Sequence, residues 1–505
     1  MATKATRRKT TKPAASFRVR IRMYQHGLGD CFLLSFPTGK ARDVHVLIDC
    51  GIVLGTSEPG TVMTRVAQDI KKVTKGHLDL LVITHEHWDH LSGFDPAQAQ
   101  AVFDDIQIGT FWLAWTEDEK NPLARHLRTE REKKKKAAQA AREASEKRGL
   151  DKQAARMAGV LGFFGAAAAG AGDEEQDGGG GTKGALDYLK EKCPPTILET
   201  GGKPVSIPGV NGVLAYVLGP PMDGDAMKKT NPSKGEGYAL GGEAIGLADA
   251  FLAAFDPADE FAQPFAKSFR TPISELRSRS PAMQPPLQPA GRNETSPSGI
   301  DGYFLKENQW RNIDDEWLGL GERLALQLDN ATNNTSLVLA FEFEDSKDVL
   351  LFVGDAQAGN WRSWDTCEWT VKDQDGDNRK VTAADLLQRT VFYKVGHHGS
   401  HNATLREKGL ERMHSSQLAA VIPVDTLVAH EVKGWRQMPL PAIRERLEQK
   451  CAVVFQSDKP PSVRKGAPKV RWQESQEKFD VRMKNKTTKK VETVRKQNLY
   501  TDCFL

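Results

Sequence analysis

Apolar residues along the chain recur with two periods, and these periods locate the predicted strands and helices. Strict alternation over residues 17–23 predicts a half-buried strand. Short continuous apolar runs predict further, buried strands at 31–35, 44–49, 78–83, 111–115, 213–218, 333–343, 348–355 and 389–395. Apolar positions with helical spacing predict helices at 58–75, 186–189 and 308–328. No internal repeat is apparent in the sequence.

Several stretches lack this patterning, and they set the expected domain boundaries. Residues 1–15 are predicted to be a disordered basic tail, and the charged, Ala-rich stretch from 117 to 157 a long solvated helix. Low-complexity Gly and Ala follow up to 182, and a Pro/Gly-rich stretch begins at 222. We therefore expect a core in three parts (16–116, 184–220 and 301–460), insertions at 117–183 and 221–300, and a basic C-terminal extension at 461–505.

Composition narrows the class of protein only slightly. The 505 residues are 39% hydrophobic and 27% charged, which indicates a real core together with substantial solvated segments. The formal net charge of +4 is too small to indicate a partner. The six cysteines are scattered without a C-x-x-C pair, and no apolar run approaches the roughly 18 residues of a membrane span. The basic N-terminus lacks the apolar segment of a signal peptide, so we expect a cytoplasmic protein without membrane association.

The densest cluster of side chains that can bind metal lies directly after the apolar run at 78–83. Residues 84–90 read Thr-His-Glu-His-Trp-Asp-His. His85 and His87 are two positions apart, so they project to the same side of an extended strand end. Asp89 and His90 then fall on the turn beyond it. Imidazole and carboxylate are ligands that borderline cations prefer, so the stretch predicts two pairs of ligands for two adjacent metal ions rather than a polar loop with surface histidines.

Other apolar runs also end at residues that can bind metal. Asp49 ends the run at 44–49, Asp355 ends the run at 348–355, and His397 and His398 follow the run at 389–395. Open α/β sheets bind ligands at the ends of their strands. By themselves, however, Asp49 and Asp355 also fit turn aspartates, and a lone His pair is commonly structural. Asp355 and the His pair are assigned to the site by their order along the chain, which the resemblance described next requires.

Four motifs resemble the metallo-β-lactamase superfamily. They are the H-x-H-x-D-H stretch at 85–90, N-N-x-S-L-V-L at 333–339, F-V-G-D-A at 352–356 and K-V-x-H-H-G-S at 394–400, preceded by a G-x-G-D turn at 27–30. The later motifs are similar to the hydrolase domain of the ComEC-type DNA-uptake proteins. The resemblance covers residues 16–116, 184–220 and 330–460. It implies an α/β fold, the metallo-β-lactamase-like αββα sandwich, with two large insertions and a basic C-terminal extension.

The resemblance also implies roles for individual residues. His85 and His87 would bind the first metal ion, Asp89, His90 and His398 the second, and Asp355 would bridge the two. Asp49 would lie near the site and hold its loops. Zinc is the expected ion, with manganese as an alternative.

Catalysis in this family would use hydroxide generated at the metal ions to attack phosphorus. Asp89 would orient the nucleophile, and His397 would contact the phosphate or protonate the leaving group. Which of His397 and His398 binds metal stays open in the sequence. Many members carry a further His before the bridging Asp; here Asn333 or Asn334 stands in that neighbourhood, and Ser400 closes the last motif as a further candidate.

Three functions are compatible with such a site. The first is a nuclease, favoured by residues 464–496, where twelve Lys and Arg face only four acidic residues. The second is a hydrolase of a small phosphodiester, with residues 222–300 as a lid over the pocket. The third is a regulated effector that a partner protein, or a protease cutting the insertion near 117–183, would activate.

Overall fold

The computed structural model describes residues 17–39, 42–147, 149–165, 181–227, 229–233, 236–237, 318–372, 376–484, 488 and 490–505. The chain divides into two compact units, one formed by 1–127, 162–243 and 330–505, and the other by 128–161 and 244–329. The predicted tail at 1–15, the low-complexity segment at 166–180 and most of the predicted insertion at 221–300 lie outside the described residues.

The described part of the chain contains 22 β-strands. They are β1 (Arg20–Tyr24), β2 (Cys31–Phe36), β3 (Val44–Cys50), β4 (His77–Leu78), β5 (Leu80–Val82), β6 (Gln107–Ile108), β7 (Phe111–Ala114), β8 (Pro195–Leu198), β9 (Val205–Ser206), β10 (Val213–Gly219), β11 (Val338–Phe343), β12 (Val349–Phe352), β13 (Glu368–Lys372), β14 (Asn378–Thr382), β15 (Thr390–Lys394), β16 (Ala419–Ile422), β17 (Val453–Gln456), β18 (Lys459–Val463), β19 (Arg471–Glu474), β20 (Lys478–Lys484), β21 (Val491–Asn498) and β22 (Tyr500–Phe504).

The α-helices are α1 (Pro59–Thr74), α2 (Trp88–Leu91), α3 (Gln100–Phe103), α4 (Pro122–Lys147), α5 (Asp151–Leu161), α6 (Gly181–Lys192), α7 (Gly224–Met227), α8 (Leu318–Asn333), α9 (Ala358–Ser363), α10 (Ala383–Gln388) and α11 (Pro441–Lys450). Short 3-10 helices lie at Ser92–Phe94, Trp115–Glu117, Gly162–Phe164, Trp364–Thr366, Gly396–Gly399 and Leu410–Arg412, and a π-helix at Val428–Val432.

The first unit contains two mixed sheets of eight strands each. Their orders are β19-β22-β1-β2-β3-β5-β7-β8 and β18-β17-β16-β15-β12-β11-β10-β9. In the first sheet β1, β2 and β3 pair antiparallel, and β3, β5, β7 and β8 pair parallel. In the second sheet β10, β11 and β12 pair antiparallel, and β12, β15, β16 and β17 pair parallel. The two halves of the unit therefore repeat one pairing scheme that no sequence repeat had indicated.

The two sheets share an apolar core. Phe32 of β2 lies 5.7 Å from Phe352 of β12 between ring centroids, and both belong to one buried cluster drawn from both sheets. A fully buried Phe side chain contributes about 1.5–3 kcal/mol relative to an exposed one. Leu33, whose side chain points to the opposite face of β2, packs in a second cluster with Met63 and Val66 of α1. The first sheet thus has the second sheet on one face and α1 on the other.

Helix α1 confirms the helix predicted at 58–75. Pro59 stands at the start of the helix, where its missing N–H costs nothing. Met63, Val66 and Ile70 recur at helical spacing and are buried. The helix ends at Lys75 and Gly76, both with left-handed backbone angles. On the second sheet, α10 contacts β12 and α11 contacts β17.

The structure differs from the predicted long solvated helix at 117–157. Two helices, α4 and α5, occupy this stretch, and Gly149 between them has a φ of 71°, a left-handed angle that interrupts an α-helix. Ala137, Ala138 and Ala141 are fully buried, and Arg142 is 6% exposed. One face of α4 is therefore covered rather than solvated.

The C-terminal segment from 461 also differs from the expected extension. Strand β22 pairs with β1 from Arg20–Phe504 to Tyr24–Tyr500, and β19 pairs with β22. Arg22 donates to both oxygens of Asp502 at 2.8 Å, with both residues buried. The end of the chain is thus an integral part of the first sheet.

Among the described residues, no helix combines the length and the apolar character that crossing a membrane requires.

Candidate metal centre

The candidate site lies where the parallel strands of both sheets end. β3 and β5 are neighbours in the first sheet, and Asp49 in β3 receives the backbone N–H and the hydroxyl of Thr84, which follows β5, at 2.8 and 2.7 Å. These bonds hold the start of the histidine-rich stretch against the end of β3. The predicted site residues His85, His87, Asp89, His90, Asp355, His397 and His398 are all buried.

Asp49 also orients His90. Nδ1 of His90 lies 2.8 Å from Oδ2 of Asp49. The bond directs Nε2 of His90 towards Asp355, whose Oδ2 is 3.4 Å away, and Asp89, whose Oδ2 is 3.9 Å away. Nε2 is buried without a hydrogen-bond partner. An imidazole held in this way by an outer carboxylate is a typical metal ligand.

His398 has the same arrangement with a different outer partner. Its Nδ1 donates to the carbonyl of Pro423 at 2.9 Å, and its Nε2 lies 2.9 Å from Oδ2 of Asp89 and 3.6 Å from Oδ2 of Asp355. Two ligand atoms on one tetrahedral zinc ion, each about 2.0–2.1 Å from it, are about 3.3–3.5 Å apart. The separations around Asp355 are close to that value. Between the two histidines, His398 is therefore the better placed to bind metal.

Among the described residues, one group of four can hold a metal ion by geometry. Asp30, His90, Asp355 and His398 each offer an atom within 4.8 Å of the others, and all four are buried. Asp30, however, approaches the Nδ1 sides of the two imidazoles, at 3.8 Å from His90 and 3.6 Å from His398. Those nitrogens are already hydrogen-bonded to Asp49 and to the carbonyl of Pro423. We therefore infer that Asp30 is not a metal ligand but lies on the Nδ1 side of both imidazoles, while Asp89 faces their Nε2 atoms.

Lys394 is a buried cation beside the carboxylates. Its ammonium lies 2.5 Å from Oδ2 of Asp30, 3.2 Å from Oδ1 of Asp355 and 2.7 Å from the carbonyl of Gly354. Oδ1 of Asp355 is thus bound to Lys394, and Oδ2 is the oxygen that faces the histidines. Lys394 is 1% exposed, so its charge is neutralised within the protein.

The first two histidines form a separate pair. Nε2 of His85 lies 3.0 Å from Nδ1 of His87, and Nδ1 of His85 lies 3.1 Å from the hydroxyl of Thr84. The two facing nitrogens can share a proton or, by their spacing, bind one cation.

Burial and charge separate the histidines into two classes. Burial lowers the pKa of His85 well below its usual value and that of His87 to about 3, and nearby histidines add to the shift for His85. Burial acts the same way on His90 and His398, but the surrounding carboxylates, Asp355 foremost, outweigh it and raise both pKa values. The neutral forms of His85 and His87 are therefore favoured, whereas the carboxylates favour the protonated forms of His90 and His398, and a bound cation would replace those protons.

The neighbouring charges also shift the pKa values of the carboxylates. Burial raises the pKa of Asp89, but His90 and His398 outweigh it and lower the pKa to about 2. Burial likewise opposes the effect of Lys394 on Asp355, whose pKa nevertheless falls well below its usual value. Both side chains are anionic at neutral pH, as ligands for a divalent cation must be.

His397 and Asn333 lie beside the centre, and both are buried. Nε2 of His397 is 4.0 Å from Oδ2 of Asp355 and 3.5 Å from the side-chain nitrogen of Asn333. His397 and His398 have φ angles of 44° and 51°, a left-handed conformation that is costly for residues with a Cβ atom. The strain turns the two rings in different directions, with centroids 6.0 Å apart. His397 is thus placed beside the centre rather than between its ligands.

Two predicted candidates lie elsewhere. The side chain of Asn334 donates to the carbonyls of Met227 and Lys229, and its Oδ1 accepts the backbone N–H groups of Gln357 and Asn360. The hydroxyl of Ser400 donates to Asn402 at 3.0 Å. These contacts join loops to one another, so of the two asparagines the structure brings only Asn333 to the centre.

Asp30 and Lys394 were not among the predicted site residues. Both belong to motifs that the sequence analysis singled out, the G-x-G-D turn and the K-V-x-H-H-G-S stretch, where a turn aspartate and a strand lysine are also ordinary structural residues. The turn glycine has a packing role: a Cβ at Gly29 would lie 2.2 Å from the carbonyl oxygen of Gly51 and 2.8 Å from that of Asp89. The turn carrying Asp30 therefore packs directly on the backbone of the histidine-rich stretch.

The donor set fits a divalent cation. Nε2 of His90 and Oδ1 of Asp89 are buried without hydrogen-bond partners, although such groups normally have one. A cation bound between them would satisfy both atoms. Comparison of the chain with known protein families, curated proteins and solved structures finds no match.

Proposed function

We propose that the protein is a metal-dependent hydrolase of the metallo-β-lactamase type that cleaves phosphodiester bonds, with nucleic acid as its leading substrate class. One observation carries the proposal: strand ends from both sheets direct Nε2 of His90 and Nε2 of His398 to within 3.6 Å of one carboxylate oxygen of Asp355. The shared core of the two sheets and the helices on their outer faces are consistent with the αββα sandwich.

Each residue of the centre has a defined task in this proposal. Asp89, His90, Asp355 and His398 hold one divalent ion, zinc or manganese, and the His85–His87 pair offers a second position next to it. When bound, such ions act as Lewis acids and lower the pKa of coordinated water to about 7. Lys394 neutralises Asp30 and Asp355, and Asp49 keeps Nε2 of His90 pointing inward.

His397 is the best-placed side chain for contacting a substrate phosphate. Burial lowers its pKa to about 4, so the ring is neutral at pH 7 and its Nδ1 is buried without a hydrogen-bond partner. A neutral imidazole carries one N–H group that it can donate in a hydrogen bond to a phosphate oxygen, whereas protonation of a leaving oxygen would require the imidazolium form. Nε2 of His397 lies 4.0 Å from Oδ2 of Asp355, so the side chain borders the position of a substrate held at the centre.

The C-terminal charge supports nucleic acid less strongly than its composition suggests. Four of its arginines have partners in the fold: Arg464 donates to the carbonyl of Cys451, Arg471 stacks on Phe504, Arg482 pairs with Glu58 and Arg495 pairs with Asp425. Exposed lysines remain at 465, 469, 478, 490 and 496. These side chains can contact phosphates and would make binding depend on salt.

A small phosphodiester is the second candidate substrate. The burial of the centre favours it, since His87 is 1% exposed and Asp89 and His398 are fully buried. A duplex could not reach such a centre without a change in the surrounding loops.

The test is a cleavage assay on the metal-loaded protein with plasmid, single-stranded oligonucleotide and bis(p-nitrophenyl) phosphate. The wild type is compared with His87→Ala/Asp89→Ala. Asp79→Asn is the matched control, because Asp79 is a buried carboxylate that binds Arg42 and the backbone of His45. We expect cleavage by the wild type and the control, and none by the double variant.

The substrate pattern separates the candidates. Cleavage of nucleic acid that weakens steeply with salt supports the nuclease, and cleavage of only the small diester supports the second candidate. A metal-loaded wild type that cleaves none of the three would contradict the proposed function.

A further inference from the structure

Two aromatic side chains close the centre on the side of His87. The ring of Phe163 lies 5.2 Å from the His87 ring, and that of Phe164 lies 5.0 Å from it at an angle of 87°. Both Phe side chains are buried, at 4% and 3% exposure. The two residues, which we call the aromatic cover, therefore stand between His87 and solvent.

Phe163 is also stacked on a second aromatic residue. Its ring lies 5.4 Å from that of Trp435, and the two planes differ by only 7°. Nearly parallel planes at this centroid distance are offset-stacked, an arrangement that aromatic pairs favour. Parallel stacking of a flat ring on tryptophan is the arrangement by which proteins bind unpaired nucleobases.

A cation accompanies this stack. Nζ of Lys433 lies 5.5 Å from the centre of the Phe163 ring and 5.7 Å from that of Trp435. Lys433 and Trp435 are half-buried, and Gly434 between them has a φ of 75°. The turn thus presents an aromatic face and a positive charge side by side, next to the candidate metal centre.

The aromatic cover belongs to a short segment with few polar attachments to its surroundings. Gly165 bonds back to Gly162 within the segment at 3.3 Å, and the hydroxyl of Thr182 donates to the carbonyl of Phe164 at 3.5 Å. Its other contacts are mainly with rings: Phe163 stacks on Trp435, and both Phe rings lie against His87. Such contacts lack direction, so another flat ring could replace Phe163 on Trp435.

We propose that Trp435 and Lys433 form a nucleobase subsite beside the metal centre, and that Phe163 occupies it in this structure in place of a base. The proposal rests on the proposed function and names its substrate class as single-stranded nucleic acid. A base must be unpaired before it can stack on Trp435. Lys433 contacts the phosphate or the base edge while the adjoining phosphodiester reaches the centre past His87.

The test measures binding separately from hydrolysis. The probe is a fluorescein-labelled thymidine oligonucleotide of about eight nucleotides with phosphorothioate linkages, which are cleaved slowly. Its fluorescence anisotropy is titrated with the full-length, metal-loaded protein. Phe163→Ala removes the competitor, and we expect it to bind the probe about fivefold more tightly than the wild type, or better.

Further variants test whether the tighter binding expected for Phe163→Ala depends on stacking against Trp435. Phe163→Ala/Trp435→Ala should lose the gain, and Phe163→Ala/Trp435→Phe should keep most of it, because phenylalanine still offers a flat face. Phe163→Leu, which keeps an apolar side chain over His87, should also bind more tightly than the wild type. Trp472→Ala is the matched control: Trp472 is 37% exposed in the C-terminal segment, and its loss should leave binding unchanged.

Two results would overturn the subsite. One is equal binding by the wild type and both Phe163 variants. The other is a gain that persists without Trp435, which would show that opening the centre is sufficient. Hydrolysis of bis(p-nitrophenyl) phosphate by the wild type is followed in parallel: hydrolysis without Trp435-dependent binding refutes the subsite alone, and Trp435-dependent binding without hydrolysis of any diester refutes the proposed function alone.

Discussion

The two halves of the first unit place an aspartate at equivalent positions and use it differently. Asp49 lies at the end of β3, Asp355 follows β12, and these strands have the same place in the two pairing schemes. Both oxygens of Asp49 are occupied by Thr84 and His90. Asp355 gives one oxygen to Lys394 and leaves the other facing the histidines.

The difference comes from the neighbouring strand rather than from the aspartate. In the first half, Thr84 after β5 supplies two donors that saturate Asp49. In the second half, Lys394 at the end of β15 supplies one charged donor. A carboxylate with an open oxygen can bind a cation, whereas a saturated one can only position other ligands. We therefore expect the two aspartates to respond differently to the same substitution.

The largest effect is expected for Asp355→Asn. The amide keeps the shape of the side chain but removes the charge that faces His90 and His398. We expect metal affinity to fall by more than about 100-fold, beyond the range typical of outer partners, and diester hydrolysis to fall with it. Metal content after dialysis and calorimetric titration with zinc measure the loss; Asp79→Asn should keep wild-type affinity.

Lys394→Met tests the second difference between the two halves, which is the charged donor that only Asp355 has. The change leaves Asp30 and Asp355 buried without their shared cation, so the metal-free protein should lose about 3–5 kcal/mol of unfolding free energy. Zinc should restore much of it, because the bound ion replaces the missing positive charge. Urea unfolding with and without zinc measures both effects.

The surface pair of Lys408 and Asp365 provides the control for that change. Lys408→Met should alter the unfolding free energy by no more than about 1 kcal/mol, with or without zinc. Equal destabilisation by the two lysine variants would contradict the role assigned to Lys394.

Asp49→Asn should have an intermediate effect. Its carboxylate accepts three hydrogen bonds, and asparagine has one carbonyl oxygen, so one of the Thr84 or His90 donors would face an NH₂ group. We expect zinc to bind about 10–100-fold more weakly but still to full stoichiometry. Complete loss of zinc would instead make Asp49 equivalent to Asp355.

The smallest effect is a dependence on pH. His90 and His398 have raised pKa values in the metal-free fold, so folding takes up protons near neutral pH. Their contribution to stability is full below the unfolded pKa of about 6.5 and is lost as pH rises through the folded values. Below about pH 7.5 the histidines with lowered pKa values, such as His87, oppose this effect, because stability rises with pH while only their unfolded forms bind protons. The melting temperature of the metal-free protein should therefore fall from about pH 7.5 towards pH 9, whereas the increase caused by zinc should grow.

The pH dependence of zinc affinity sharpens this prediction. Binding must displace the protons of both histidines, so the logarithm of the affinity should rise with a slope of up to about two per pH unit. In His398→Gln the slope should decrease by about one. An unchanged slope in this variant would show that His398 is neutral before the metal binds.

The local sequence was sufficient to predict the strands that lead to the candidate site and to indicate most of its residues. The apolar runs ending near 49, 83, 355 and 395 are strands in the structure, because burial on both faces requires continuous apolar residues. His85, His87 and His90 stand close in the chain, so a turn of six residues brings them together. Motif spacing also indicated Asp355 and the His397–His398 pair.

Only the tertiary structure decided how each side chain is used. Asp89 and His398 are 309 positions apart, and their contact depends on two sheets sharing one core. Which ring nitrogen faces inward depends on partners such as Pro423, and which asparagine reaches the centre depends on contacts that tie Asn334 to other loops. The sequence therefore determined which groups are available at the strand ends. Packing determined their orientation. When one nitrogen or oxygen of a side chain is hydrogen-bonded to the surrounding protein, its other nitrogen or oxygen is the atom that faces the centre.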